Sequence, residues 1–114
     1  NGKTPFYFSM RDNRPFAMAG LWEEWHSPDG ELLHTCTLIT TQANTYVAAI
    51  HHRMPVILAP PQQLAWLNTD PEDRTRLESL LHPYTGDDLS AHPVSTQVNA
   101  ATWDDPSCIE QVIN

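Results

Sequence analysis

His51, His52 and Arg53 stand side by side and run into Met54-Pro55. Imidazole titrates near neutral pH and is the usual proton carrier in catalysis. A guanidinium offers a planar fork that fits phosphate or carboxylate oxygens. Pro55 fixes its own φ and restricts Met54, so the two imidazoles are tethered next to stiff backbone. In an extended segment His51 and His52 point to opposite faces, with one functional or buried and the other exposed. Two readings are open for each: general acid–base for a histidine or plain exposure, phosphate binding for Arg53 or an ion pair with an acid.

Other candidates are weaker. Glu23 and Glu24 lie between Trp22 and Trp25. A carboxylate beside an indole can have a raised pKa, but the plainer reading is one inward Trp, one rim Trp and solvated acids. His26 and His34 flank the Ser27–Gly30 turn and are expected to face each other. Two imidazoles fall short of the three or more ligands a metal needs, so neither metal nor cofactor is expected. Cys36 and Cys108 match no zinc or redox spacing. Cys36, in an alternating apolar run, is expected to be a buried free thiol. There is no Gly-rich phosphate loop, no GxSxG elbow and no HExxH.

The elements around these residues alternate between strand and short helix. Residues 5–10 and 16–21 read as a hairpin about Asp12-Asn13. Gly20 signals a bulge or a close backbone approach. Residues 21–25 continue extended and a strand follows at 32–41, joined by the turn SPDG. Residues 43–50 read as a helix with Asn44 at its cap, and 56–58 as a short buried strand. Pro60-Pro61 opens a helix whose apolar edge is Leu64 and Leu67. Asp70-Pro71-Glu72-Asp73 opens another, with Leu77, Leu80 and Leu81 as its inner stripe. His82-Pro83 ends it. Residues 89–98 read as a strand near an edge, because Pro93 cannot donate to a ladder. Strands early and mixed elements late give an α+β fold.

The 114 residues suit a single domain or part of one. Forty per cent hydrophobic residues is the ordinary globular value. No apolar run approaches the length of a membrane span. Net charge is −8, from 6 basic and 14 acidic residues. That balance argues against sequence-blind electrostatic DNA binding and fits an acidic cytosolic protein. The chain opens on a turn-like Asn1-Gly2 without an initiator Met, so an upstream segment is expected to be missing.

Four motifs occur in order: FAMAGLWEEW from Phe16, CTLITT from Cys36, IHHRMPVIL from Ile50 and HPVS from His92. Together they resemble the SOS-response-associated peptidase (SRAP) family. The resemblance covers residues 1–114 as the C-terminal portion of one such domain. It implies a mixed, largely antiparallel, barrel-like β core with short peripheral helices. It further implies a DNA-damage-response protein that binds single-stranded DNA carrying abasic sites. An N-terminal cysteine, absent from this chain, crosslinks the ring-opened sugar as a thiazolidine, and a self-processing peptidase activity accompanies it. His51 then matches the active-site histidine of an H-x-R-M-P motif, Arg53 an arginine that contacts phosphate, and Thr40 a threonine lining the DNA groove. His52 stands where the family usually has Asp. Residues 1–114 alone are expected to be inactive and to self-associate through strand edges. The setting implied is a bacterial cytoplasm, near the nucleoid, with no membrane. Two other readings remain: a non-catalytic scaffold domain, or a small hydrolase using His51.

Overall fold

The computed structural model describes residues 3–113. The Asn1-Gly2 turn lies outside them. In chain order the elements are β1 (Phe6–Met10), β2 (Ala17–Met18), β3 (Gly20–His26), β4 (Leu32–Leu38), β5 (Thr40–Gln42), α1 (Thr45–Ala48), β6 (Arg53–Pro55), β7 (Ile57–Leu58), α2 (Pro60–Asn68), α3 (Arg74–Glu78) and β8 (Leu89–Pro93). Two 3₁₀ turns follow, Thr96–Asn99 and Pro106–Ile109. All the ladders are antiparallel and two-stranded: β1–β8, β2–β7, β3–β4 and β5–β6. The α+β, antiparallel expectation holds. Among the described residues these ladders do not close into a barrel. No helix there is long and apolar enough to cross a membrane.

The chain forms two compact units. The larger, Phe16–Thr85, is built on three single residues that each separate two strands. Ala19 parts β2 from β3, Ile39 parts β4 from β5, and Val56 parts β6 from β7. Their backbones form a ring of hydrogen bonds. Ala19 N–H donates to the Val56 carbonyl (2.8 Å), Val56 N–H to Ile39 (2.9 Å) and Ile39 N–H to Ala19 (3.0 Å). Three strand passes therefore bend at one point, and each arm pairs with an arm of a neighbouring pass. Ala19 and Val56 have no solvent exposure and cluster with Leu58. Ile39, Trp66, Leu80 and Leu81 pack over them. Buried N–H and C=O groups must be paired, and this ring pairs three of each.

Several local expectations hold. Gly30 N–H bonds the Ser27 carbonyl (2.9 Å), with Gly30 at φ 84. Asn44 caps α1 by accepting from Val47 N–H (2.9 Å). Pro60-Pro61 open α2. A Cβ placed on Gly20 would lie 2.9 Å from the Thr37 carbonyl oxygen, which is the close approach its sequence signals.

Others are corrected. The 5–21 hairpin does not form. The turn is present, with Asn13 at φ 60 and its N–H on Met10 O (2.9 Å). Beyond it, however, Pro15 has no N–H to offer a ladder. β1 pairs with β8 and β2 with β7 instead. In α2, Leu64 and Leu67 face outward, 64% and 76% exposed. The inward side belongs to Trp66, whose indole N–H reaches the Gly20 carbonyl (3.3 Å). The next helix starts at Arg74, not at Asp70. The Asp70 side chain accepts from Glu72 N–H (2.9 Å), a local turn that competes with helix, and Asp73 becomes the cap. The last strand ends at Pro93, before a 3₁₀ turn.

The second unit joins the segment ending at Pro15 to the one starting at Gly86. Its core is Met10, Leu89 and Val94, all buried, under the β1–β8 ladder. His92 Nε2 meets the Ile109 carbonyl (2.7 Å), and Val112 N–H donates to Pro93 O (3.0 Å), so the tail is fastened to β8. Arg14 bridges Asp12 and Asp88. Hydrogen bonds from the Arg14 backbone and side chain hold the Asp12 carboxyl below its ordinary value, and the two carboxylates hold the guanidinium above its own.

Two outcomes are expected. Gly20→Ala forces a backbone shift against Thr37 and lowers the urea midpoint by an amount equivalent to about 1–3 kcal/mol. For Asp12, the lowered folded pKa means a contribution present above the unfolded value of 3.8 and lost as pH falls through the folded one. Asp12→Asn should therefore flatten the acid limb of a stability–pH curve. An unchanged limb would refute the assignment.

Candidate functional site

Thr40 begins β5 directly after Ile39, and Pro55 ends β6 directly before Val56. The β5–β6 ladder is thus one arm of the hydrogen-bonded ring. Its register pairs Thr40 with Pro55, Thr41 with Met54 and Gln42 with Arg53. Alternation puts Thr40, Gln42, Arg53 and Pro55 on one face. On that face Arg53 Nη2 donates to the Thr40 carbonyl (2.9 Å) and to Thr40 Oγ1 (3.0 Å). Among the described residues Arg53 makes no ion pair. It is exposed, and its remaining N–H groups are available to a ligand.

His51 enters from α1. Its N–H bonds the Val47 carbonyl (2.9 Å), as Ile50 N–H does (2.8 Å), which closes the helix. Its Nδ1 lies 3.0 Å from both the N and the O of Arg53. Nδ1 can accept from Arg53 N–H or donate to Arg53 C=O, according to tautomer. Nε2 has no partner among the described residues. His52 is fixed on its other side, where Ala43 N–H donates to its carbonyl (3.0 Å).

The histidines do not diverge as an extended segment would have them. Residue 52 sits at a bend between helix and strand, and the two rings stack with centroids 4.7 Å apart at 20°. Both are exposed. The structure thus brings Thr40, His51 and Arg53 together, with His52 against His51. It also reveals a second task for Asn44: its Nδ2 donates to the Tyr84 carbonyl (2.9 Å) while its Oδ1 caps α1. The cap was legible in the sequence. The tether spans 40 residues and left no local signal.

The β3–β4 candidates fare differently. His26 is opposite Leu32, and His34 is opposite Glu24. The turn pairs Ser27 with Glu31 (2.8 Å), which moves His34 out of His26's row. His34 Nε2 lies 3.3 Å from Glu24 Oε1 and meets the Trp22 edge at 5.8 Å. Trp22 and Trp25 are both exposed, 69% and 53%, so neither is the inward Trp expected. Cys36 is exposed rather than buried, because this ladder has no inner face within its unit. Among the described residues, no three His, Cys, Asp or Glu side chains gather as a metal site.

The model of the family "SOS response associated peptidase (SRAP)" matches residues 1–101. The chain belongs to the SRAP family. It is 44% identical over 108 residues to abasic site processing protein YoqW of Bacillus subtilis (strain 168), covering 95% of this chain and 48% of that protein. It is 38% identical over 98 residues to abasic site processing protein HMCES of Gallus gallus, 84% of this chain and 29% of that one. A crystal structure of a Bacteroides thetaiotaomicron protein superposes with TM-score 0.87 at 28% identity, covering 98% of this chain and 50% of its own. This SRAP chain thus spans about half the length of the bacterial relative it matches.

Two substitutions separate scaffold from surface in this candidate site. Asn44→Ala removes cap and tether together and should cost about 1–2 kcal/mol by chemical denaturation. Thr40→Val loses one exposed hydrogen bond and should cost under about 1 kcal/mol. Equal losses would show that Asn44 does not anchor the site.

Proposed function

We propose that residues 1–114 supply the proton-handling and phosphate-gripping part of a site that processes abasic sites in single-stranded DNA. The reading draws on relatives named abasic site processing proteins. The observation that carries it is that His51 Nδ1 rests against the Arg53 backbone while Thr40 holds the Arg53 guanidinium, with all three residues exposed. Arg53, steadied by Thr40, presents its free N–H groups to a backbone phosphate. A net charge of −8 makes such a local grip more important than any general field.

His51 Nε2 serves the sugar. Ring opening of an abasic deoxyribose removes the proton of its C1′ hydroxyl and returns one to O4′, leaving an aldehyde. An outward imidazole nitrogen is suited to both transfers. The α-amine of an N-terminal cysteine then condenses with the aldehyde, releasing water, and the thiol adds to the imine to close a thiazolidine. Cys36 and Cys108 are internal, with acylated nitrogens, and cannot do this. The associated self-processing peptidase activity belongs to the same cysteine. The contacts of His51 do not favour a hydrolase: among the described residues its ring meets the Arg53 backbone and His52, and no hydroxyl or thiol.

The test uses a protein that carries these residues together with an N-terminal cysteine. His51→Gln should slow the covalent band formed with abasic single-stranded DNA by about 10²–10⁴-fold. Arg53→Ala should flatten the slope of log K against log salt by about 0.7, one single-strand phosphate contact. Residues 1–114 alone should give no covalent band. An unaltered rate in His51→Gln would overturn the proposal.

A further inference from the structure

The stacked imidazoles have a use that proton transfer leaves unexplained. Proton transfer needs one ring. His52 adds a second, held nearly parallel to the first at 4.7 Å and 20°, exposed, and next in sequence to Arg53. Its backbone is fixed by the Ala43 hydrogen bond, and its neighbour's by Val47. An exposed pair of stacked flat rings, next in the chain to an arginine, is the combination that holds single-stranded nucleic acid: aromatic faces take bases while cations take phosphates.

An abasic nucleotide gives that surface a definite partner. Where a base is missing, the adjoining base has lost one stacking neighbour, and its π-face is open to water. We infer that His52 stacks on the nucleobase next to the abasic sugar, filling the gap left by the lost base while His51 addresses the sugar. The inference rests on the DNA reading of the Thr40–His51–Arg53 cluster. It adds a second binding subsite whose ligand is a nucleobase of any identity, since every base has a π-face. His52 is thereby a binding residue, distinct from the proton carrier beside it.

Stacking predicts a pattern that a merely structural His52 would not give. The probes are two single-stranded oligonucleotides with one central tetrahydrofuran, an unreactive abasic analogue. In the first both neighbours of the tetrahydrofuran are ordinary nucleotides. In the second they are tetrahydrofurans as well. Binding is read by fluorescence anisotropy. His52→Ala should weaken binding to the first about 5- to 30-fold and to the second by less than about 2-fold. His52→Phe should restore the first, because it keeps a stackable ring without a titrating nitrogen. Denaturation midpoints check that each variant is folded. If His52→Ala weakens both probes alike, or neither, while Arg53→Ala weakens both, the stacking inference is wrong and the DNA reading stands. If Arg53→Ala also changes nothing, the DNA reading itself falls.

Discussion

Three backbone hydrogen bonds, closing a ring through Ala19, Ile39 and Val56, are the constraint on which the larger unit depends. Each residue sits where one strand pass bends, so each gives an N–H to one neighbour and a C=O to the other. None can be removed without leaving one N–H and one C=O of the other two unpaired, which is costlier than the loss of a single bond where they are buried. The side chains suit the place. Alanine and valine leave no exposed surface, and Leu58, Trp66, Leu80 and Leu81 close over them.

The site inherits its stiffness from that ring. Thr40 and Pro55 adjoin two of its three members, so the arm that carries them is pinned at its base. Arg53 is only two residues from the pinned end, and the Thr40 carbonyl and hydroxyl hold its guanidinium. His51 is secured from the opposite side, through α1 and the Asn44 link to Tyr84. Groups positioned from two directions lose little freedom when a ligand arrives.

What the sequence revealed was whatever a few neighbouring residues decide. The Ser27–Gly30 turn, the Asn44 cap, the Pro60-Pro61 start and the crowding at Gly20 all follow from residue type over a short span. The family resemblance located Thr40, His51 and Arg53, and their proximity followed once β5 met β6. Pairings between distant strands were not legible, since the strand after a good turn at Asp12-Asn13 has no local mark saying it will join β7. Nor was the histidine stack: taking His51 and His52 as an extended segment put the rings on opposite faces, and one bend at His52 reversed it. The exposure of Cys36, Trp22 and Trp25 escaped because an apolar alternation shows which face is fit for burial, not what lies over it.

The double contact of His51 Nδ1 with Arg53 has a consequence for the outward nitrogen. If Nδ1 accepts from the Arg53 amide, Nε2 carries a hydrogen and offers it. If Nδ1 donates to the Arg53 carbonyl, Nε2 presents a lone pair. One ring orientation thus accommodates both tautomers, and the charged form as well, with the same main-chain segment as anchor. The imidazole can alternate between giver and taker without rotating about χ2, so little reorganisation stands between successive turns of such a cycle.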